Sequence, residues 1–188
     1  MQSQQMTTPY LEVILGPMYS GKTTALVEYY EKYAFCGIPV TVINHSCDTR
    51  YDDELLSTHD KKMIPCVKAQ HLRDIWNESN EMVQKSVAIL INEGQFFDDL
   101  YDCVFDMLKN GKKVYVCGLD GDFQRNKFGQ MLDIIPLCDK VVKLNALCSL
   151  CRDGTAGIFS HRISSETGQV VVGSSNYIPV CRKCYEKK

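Results

Sequence analysis

Short apolar runs alternate with stretches of helical periodicity over most of the chain. The runs are four to six residues long and end at turn or polar residues, which is typical of buried strands. They lie at 11–15, 40–43, 87–91, 114–119 and 141–144. Strands that alternate with helices predict a parallel sheet covered by helices on both faces. The pattern therefore predicts an α/β fold.

Three stretches between these runs are predicted to be helical, at 23–35, 72–84 and 98–109. The first ends before Gly37 and the last before Gly111, and glycine commonly terminates a helix. The residues expected to face the core are Leu26, Tyr29, Tyr30 and Tyr33 in the first helix, and Leu100, Val104, Phe105 and Leu108 in the last. The segment 44–60 is polar with scattered turn residues, and we predict a loop there.

The character of the chain changes after residue 145. Two short β-like runs, at 157–163 and 170–173, lie between polar connections, and no further helical pattern follows. We therefore predict three parts. These are a disordered tail at 1–9, an α/β core at 10–145 and a small domain at 146–188.

The turn after the first predicted strand matches the phosphate-binding pattern G-x-x-x-x-G-K-[ST]. It comprises Gly16, Pro17, Met18, Tyr19, Ser20, Gly21, Lys22 and Thr23, followed by Thr24. The glycines let backbone N–H groups point at phosphate oxygens, Lys22 reaches the β- and γ-phosphates of ATP, and Thr23 offers a hydroxyl to Mg²⁺. A glycine turn without a ligand is the alternative. The preceding strand and following helix favour the phosphate site.

An acidic residue, Glu93, follows the strongest apolar run, 87–91. In open α/β sheets, ligands bind at the carboxyl ends of the strands. A P-loop enzyme needs an acidic group there, either to hold Mg²⁺ through water or to accept the proton of the attacking hydroxyl. We predict this role for Glu93. The alternative is a solvated carboxylate at a strand end.

The ten cysteines are unevenly distributed. Six stand singly, mostly among apolar residues, and we expect them to be small buried hydrophobic groups. The other four form two Cys-x-x-Cys pairs, Cys148/Cys151 and Cys181/Cys184. Two such pairs make a Cys₄ site that holds a structural zinc ion. Disulfides or free thiols are the alternatives, but no secretory signal accompanies the pairs, which favours zinc.

Composition and charge exclude few classes of function, but they reduce the range of binding partners that we expect. The formal net charge is −2 and the pI about 6.1, without the basic surface that duplex nucleic acid usually requires, so we expect no nucleic-acid partner. The first nine residues lack the basic and apolar regions of a signal peptide, and no apolar run approaches the roughly 18 residues of a membrane span. We expect no membrane association and a cytoplasmic location.

Together, these features resemble the thymidine kinase family of the cellular and poxviral type. The most specific strings are Gly-Pro-Met-Tyr-Ser-Gly-Lys-Thr at 16–23, Glu-Gly-Gln-Phe-Phe at 93–97 and Leu-Asp-Gly-Asp-Phe-Gln-Arg at 119–125. The resemblance implies a P-loop core and a zinc-binding lasso domain, here 146–188. It implies transfer of the ATP γ-phosphate to the 5′-hydroxyl of thymidine, giving dTMP, and leaves deoxyuridine open as a second acceptor. It further implies Mg²⁺, a homotetramer and feedback inhibition by dTTP.

The resemblance also assigns roles to residues. It makes Glu93 the general base and places Arg50 near the transferring phosphate. The residues that it places around the nucleoside are Met18, Phe96, Leu119, Phe123, Phe128, Ser160, Val171, Val172 and Tyr177. Without the resemblance, Phe123 and Phe128 would more often be core residues, and Arg50 a solvated loop charge.

Three departures from the family pattern bear on the site. Asn92 stands where an aspartate usually helps Thr23 to hold Mg²⁺, and an amide oxygen is a weaker ligand. Asp122 and Lys127 replace threonine and proline in the pocket loop. Ser174 replaces the second glycine of a Gly-Gly pair.

Two other functions remain open from the sequence. One is a regulatory, nucleotide-gated zinc protein that binds nucleic acid or a partner, but basic residues cluster only at the far end of the chain, at 182–188. The other is a P-loop kinase for a different small acceptor. It lacks the arginine-rich lid that nucleoside monophosphates would call for.

Overall fold

A computed structural model describes residues 8–48, 55–57, 62–171 and 173–187, and a six-stranded parallel sheet forms its centre. In chain order, the strands of this sheet are β1 (Tyr10–Leu15), β2 (Val40–His45), β5 (Val67–Ala69), β6 (Ala88–Asn92), β7 (Lys113–Gly118) and β8 (Lys140–Lys143). The two remaining short strands of the core, β3 (Leu55–Ser57) and β4 (Met63–Pro65), form an antiparallel pair. The spatial order of the sheet is β5-β2-β6-β7-β1-β8, and every pairing is parallel.

Both faces of the sheet are covered, as the alternation of its side chains requires. In β1, Leu11, Val13 and Leu15 face one apolar core, whereas Ile14 faces the other. The first core is closed by helix α3 (Leu100–Lys109) and by the segment 131–138. The second is closed by helix α1 (Lys22–Phe35) and the β3–β4 pair. The predicted α/β class with a parallel sheet covered by helices is therefore confirmed.

The last part of the described chain is a small β-rich unit. Its strands are β9 (Ala146–Leu147), β10 (Ala156–Gly157), β11 (Phe159–Arg162) and β12 (Tyr177–Val180), and helix α4 (Arg182–Tyr185) follows them. β9 pairs with β10 and β11 with β12, both antiparallel. Cys148, Val180 and Cys181 form its buried centre. The division at residue 145 remains a prediction.

The predicted helix at 72–84 is wrong. A single 3₁₀ turn, Leu72–Asp74, and the short helix α2 (Glu81–Lys85) occupy this stretch. Between them, the side chain of Asn77 donates to the carbonyl of Asp74 and accepts from the N–H of Ser79. Asparagine side chains compete in this way with helical hydrogen bonds, and they end the helix that the apolar spacing suggests.

Other local predictions also need correction. The polar segment 44–60 is not all loop, since β2 extends to His45 and β3 lies within it. The run 170–173 is not a strand in its described residues, whereas β12 went unpredicted. In α3, Phe105 is 38% exposed, because the inward stripe runs through Leu100, Cys103, Val104 and Met107 at i, i+3, i+4 and i+7.

The single cysteines divide into two groups. Cys103 and Cys117 are buried, as expected, and Cys66 and Cys138 are half-buried. Cys36 and Cys47 are exposed, so the expectation of burial is wrong for them. No helix in the described ranges has both the length and the apolar character to cross a bilayer.

A buried carboxylate, Glu12, lies under α1 on the second face of the sheet. It is 2% exposed and accepts hydrogen bonds from the hydroxyls of Tyr29 at 2.9 Å and Tyr10 at 3.0 Å, and from Lys140 Nζ at 3.1 Å. Burial, and then the bond to Glu12, raise the pKa of Tyr10 to about 12 and raise the pKa of Tyr29 as well. Fully paired, the carboxylate is tolerated in an otherwise apolar layer.

The stability of this cluster should depend on pH above the ordinary tyrosine pKa of about 10. A raised pKa keeps the folded Tyr29 neutral while the unfolded residue ionises, so its stabilising contribution is present below pH 10 and declines above it. Tyr29→Phe should lower the free energy of unfolding at pH 8 by about 1–2 kcal/mol. The gap to wild type should shrink between pH 9 and 11, measured by urea unfolding.

The matched control is Tyr101→Phe, because Tyr101 lies on the exposed side of α3. Its unfolding free energy should stay parallel to that of the wild type over the same pH range. A Tyr29→Phe gap that is constant with pH would contradict the role given to the hydroxyl.

Candidate active site

The predicted phosphate-binding loop curls between the end of β1 and the start of α1. Gly16 has φ +149°, and a Cβ there would lie 2.5 Å from the carbonyl oxygen of Leu144, which leaves room only for glycine. Gly21 has φ +84° and precedes the first residue of α1, and Tyr19 also has a positive φ. Loop residues 18–21 line the cleft described below, beside the positive end of the 14-residue helix α1.

The two side chains of the motif that would serve phosphate and metal lie at the start of α1. Lys22 Nζ donates to the carbonyl of Pro17 at 2.7 Å, which holds the ammonium group against the loop. Thr23 Oγ1 lies 3.4 Å from Oδ1 of Asn92 at the end of β6. The loop is therefore tied to the strand that carries the predicted acidic residue.

Asn92 uses both ends of its amide group. It is 1% exposed, and its Oδ1 also accepts from the thiol of Cys117 at 3.0 Å. Its Nδ2 donates to Asn44 at 2.9 Å, and Asn44 in turn donates to Asp48 at 3.2 Å. This chain of hydrogen bonds connects the carboxyl ends of β7, β6 and β2 behind Thr23.

Glu93 immediately follows β6 and has a left-handed backbone, with φ 55° and ψ 42°. A non-glycine residue in this region is strained by roughly 1–3 kcal/mol, and such strain concentrates at functional sites. Gln95 Nε2 donates to Glu93 Oε2 at 2.6 Å, and Gln95 Oε1 accepts from the N–H of Leu119 at 3.0 Å. Gln95, which the sequence reasoning did not single out, thus orients the carboxylate.

One cleft collects most of the predicted site. Its lining includes Met18, Tyr19, Ser20, Gly21, Lys22, Thr23, Thr24, Glu93, Phe96, Leu119, Phe123, Phe128, Ser160, Val171 and Tyr177. Gly16, Pro17 and Asn92 do not line it: the two loop residues shape the turn, and Asn92 is buried behind Thr23. Arg50 and Val172 lie outside the described residues.

An aromatic wall forms the part of the cleft next to Glu93. The rings of Phe96 and Phe128 meet edge to face with centroids 5.5 Å apart, and Phe128 is 7% exposed. The centroid of the His45 ring lies 5.4 Å from that of Phe96. Phe96 and Phe128, which both line the cleft, thus present apolar ring surface to it.

The small β-rich unit lines part of the cleft and contacts the phosphate loop. Ser160 Oγ accepts from the N–H of Met18 at 2.9 Å. The neighbouring inward residue of the strand, Arg162, is 5% exposed and donates to Tyr177 Oη at 2.6 Å. Arg162 was not predicted, although strand alternation places it on the same face as the predicted Ser160.

The four paired cysteines come together at the base of this unit. Each Sγ of Cys148, Cys151, Cys181 and Cys184 lies within 4.8 Å of the others. The separations from Cys151 Sγ are 3.4 Å to Cys184 and 3.7 Å to Cys181. A tetrahedral ion with zinc–sulfur bonds of about 2.3 Å requires sulfur separations of roughly 3.8 Å, whereas a disulfide requires about 2.05 Å. The geometry fits a structural zinc site.

Backbone groups favour the thiolate form of Cys148, whereas hydrogen bonds with the thiols of Cys184, Cys148 and Cys181 raise the pKa of Cys151 to about 12. Burial alone would raise the pKa of Cys148, but hydrogen bonds from the backbone at Cys151, Cys181 and Leu150 lower it to about 6. The N–H of Cys181 lies 3.2 Å from Cys148 Sγ, and that of Cys184 lies 3.4 Å from Cys181 Sγ. Thiolates are the form in which cysteine binds metal.

Comparison with known proteins gives consistent matches. The family described as thymidine kinase matches residues 9–185. The thymidine kinase of Oryza sativa subsp. japonica is 42% identical over 189 residues, which cover 98% of this chain and 69% of that protein. The cytosolic thymidine kinase of Bos taurus is 39% identical, covering 99% and 76%. The thymidine kinase of Yaba monkey tumor virus is 41% identical, covering 95% of both chains.

Removal of one cysteine should show whether the cluster binds zinc. The purified protein should contain one zinc per chain, and Cys181→Ser should contain almost none, because three thiolates bind the ion far more weakly. Metal analysis gives the stoichiometry. Amide hydrogen exchange should accelerate in residues 146–187 of the variant and stay unchanged in β1 and α1.

Cys36→Ser is the control, since Cys36 is exposed at the end of α1. It should keep its zinc and its exchange pattern. A wild-type protein without zinc, in which the four cysteines are oxidised in pairs, would refute the metal site.

Proposed function

The chain belongs to the thymidine kinase family, and from this membership we propose that it transfers the γ-phosphate of ATP to the 5′-hydroxyl of thymidine, giving dTMP. The family resemblance drawn from the motifs is thereby confirmed. One observation carries the proposal to this chain's own residues. The phosphate loop, Glu93 and the aromatic wall all line a single cleft.

The phosphate loop is proposed to hold ATP. Backbone N–H groups of 18–21 and the N-terminus of α1 would face the β- and γ-phosphates. Lys22, which now donates to Pro17, would exchange that carbonyl for phosphate oxygens. Thr23 and Asn92 are the residues proposed to support Mg²⁺, which would neutralise charge on the phosphates.

Glu93 is proposed as the general base. It would accept the proton of the 5′-hydroxyl while the 5′-oxygen bonds to the γ-phosphorus and the bond from that phosphorus to the β,γ-bridging oxygen breaks, releasing ADP. Gln95 holds one carboxylate oxygen at 2.6 Å, which fixes the direction of the carboxylate. The strained backbone of Glu93 sets the position of this residue at the carboxyl end of β6.

The aromatic wall is proposed to bind the nucleoside. Phe96 and Phe128 would pack on the thymine ring, with Met18 and Leu119 beside them and Tyr177 on the far side. Backbone groups near Ser160 and Val171, and of Val172 outside the described residues, would read the polar edge of the base. Arg50, also outside them, is proposed to contact the transferring phosphate.

Several expectations from the family resemblance stay proposals for this chain. They are a homotetramer, inhibition by dTTP, a cytoplasmic location, acceptance of deoxyuridine and the division into a tail, a core and a lasso domain. A nucleoside panel with ATP and Mg²⁺ would test the acceptor. Size-exclusion chromatography with light scattering would give the oligomeric state.

Replacement of the proposed base should separate chemistry from binding. Glu93→Gln keeps the size of the side chain and removes its basicity, so kcat should fall by roughly 10²–10⁴ while the Kd of thymidine changes little. Single-turnover phosphorylation and calorimetry measure the two quantities.

Asp120→Asn is the control for loss of a nearby carboxylate, because Asp120 pairs with Lys143 and does not line the cleft. It should keep wild-type turnover. If Glu93→Gln also turns over at the wild-type rate, another group must accept the proton.

The neutral residue at position 92 should affect the metal requirement. Asn92→Asp adds a charge beside Thr23, so half-saturation should occur at several-fold lower Mg²⁺ at fixed ATP. An aspartate cannot donate to Asn44, so the variant also loses the bond that Asn92 Nδ2 makes. Asn44→Asp is the control, since it places the same charge one hydrogen bond further from Thr23. Superimposable titrations of wild type and Asn92→Asp would leave Asn92 with a positioning role alone.

A further inference from the structure

Another buried carboxylate, Asp122, lines the cleft. It is 6% exposed and follows β7 by four residues. Its Oδ1 accepts from the backbone N–H groups of Gln124 and Asn126, each at 2.9 Å. Its own N–H donates to the carbonyl of Asn126 at 2.9 Å. Asp122 therefore fixes the tight turn that carries Phe123 and leads to Phe128.

The other oxygen of Asp122 reaches a different part of the chain. Oδ2 accepts from Nε2 of Gln169 at 2.9 Å. Gln169 belongs to residues 163–171, which we call the covering segment because Gln169, Val170 and Val171 line the cleft. A carboxylate only accepts hydrogen bonds, so the amide nitrogen of Gln169 must face it. The side chain of Asp122 thus connects its own turn, residues 122–126, which we call the pocket turn, to the covering segment.

Arg162 holds the same residue from its other end. Its Nη2 donates to the carbonyl of Gln169 at 2.9 Å, and its Nη1 donates to the carbonyl of Glu166 at 3.0 Å. The guanidinium lies 3.7 Å from the ring centroid of Phe123, the residue next to Asp122. A buried cation and a buried anion therefore bind opposite ends of Gln169: Asp122 belongs to the turn itself, and Arg162, in β11, contacts that turn through the ring of Phe123.

Resting on the proposed function, we propose that Asp122 and Gln169 form a latch that holds the covering segment over the bound nucleoside. They are positioning residues, and neither takes part in phosphoryl transfer. The latch sets how tightly the nucleoside is retained, because release requires the covering segment to move. Gln169 is itself largely exposed, so the bond can open without disturbing the core.

A reversal of hydrogen-bond polarity tests the latch. Gln169→Glu sets two carboxylates against each other, so the Kd of thymidine should rise roughly 3- to 10-fold while kcat at saturating thymidine stays within twofold. Adding Asp122→Asn supplies an amide donor to the new glutamate, and its Oδ1 can still accept from Gln124 and Asn126. The double variant should therefore bind thymidine within twofold of the wild type.

Gln124→Glu is the matched control. It also adds one negative charge, but on the turn that contains Asp122, at an exposed side chain that does not line the cleft. Its Kd should equal that of the wild type. Equal binding by Gln169→Glu and the wild type would overturn the latch, as would a double variant as weak as Gln169→Glu or a loss confined to kcat.

A readout without nucleoside keeps this test apart from the proposed activity. Amide exchange in residues 163–171 of the free protein should accelerate in Gln169→Glu and return to wild-type rates in the double variant. If the wild type does not phosphorylate thymidine, the proposed function fails while this exchange pattern still decides the latch. Unchanged exchange in Gln169→Glu refutes the latch whatever the acceptor is.

Discussion

The parallel direction of the six strands is the constraint on which the site depends. Both faces of the sheet are sealed by apolar cores, so polar groups emerge where the strands end, and parallel strands end at one edge. β1 delivers the phosphate loop to this edge, and β6 delivers Glu93. β7 leads to Asp122 on the same side. Segments far apart in sequence thus meet at one edge of the sheet.

At this edge, the neutral side chain of Asn92 connects the strands by hydrogen bonds, at a position where the family pattern has a charged aspartate. Asn92 is neutral, yet it ties Thr23 to Cys117 and to Asn44, and through Asn44 to Asp48. An amide can donate and accept at once, whereas a carboxylate only accepts. Asn92 therefore gains connections across three strands at the cost of one negative charge near the phosphate loop. Its partners are all buried or half-buried, so little of the network is exposed to water.

The sequence predicted those parts of the site that depend on local pattern. The phosphate loop, Glu93 and the cysteine pairs could be found because each lies in a short motif whose chemistry requires a fixed spacing. Gln95, Arg162 and Gln169 could not be found in this way. Their contacts with Leu119, Tyr177 and Asp122 span 24, 15 and 47 residues, so motif spacing does not reveal them, although strand alternation from Ser160 could have indicated Arg162.

The errors in the fold have two origins, one local and one tertiary. The stretch 72–84 has apolar residues at helical spacing, but Asn77 satisfies the backbone of Asp74 and Ser79 with its own side chain and stops the helix. Phe105 is apolar without being buried, because the orientation of α3 on the sheet places Cys103 and Met107 inward. In α3, tertiary packing therefore determines which apolar stripe faces the core, and the sequence alone does not distinguish the stripes.

The cysteine cluster also has a consequence in terms of chain entropy. Cys151 and Cys181 enclose 29 residues, and closing a flexible loop of that length costs on the order of 3 kcal/mol, by the (3/2)RT ln n rule without its constant. A metal ion held by the four cysteines would offset this cost during folding, and the four-residue ladder between β11 and β12 would then close a shorter loop inside the ring. With the metal bound, the covering segment would sample fewer conformations far from the cleft than an untethered loop of the same length. If the proposed nucleoside site is correct, the cysteines would act on a ligand that they do not touch, by raising the effective concentration of the covering segment at the cleft.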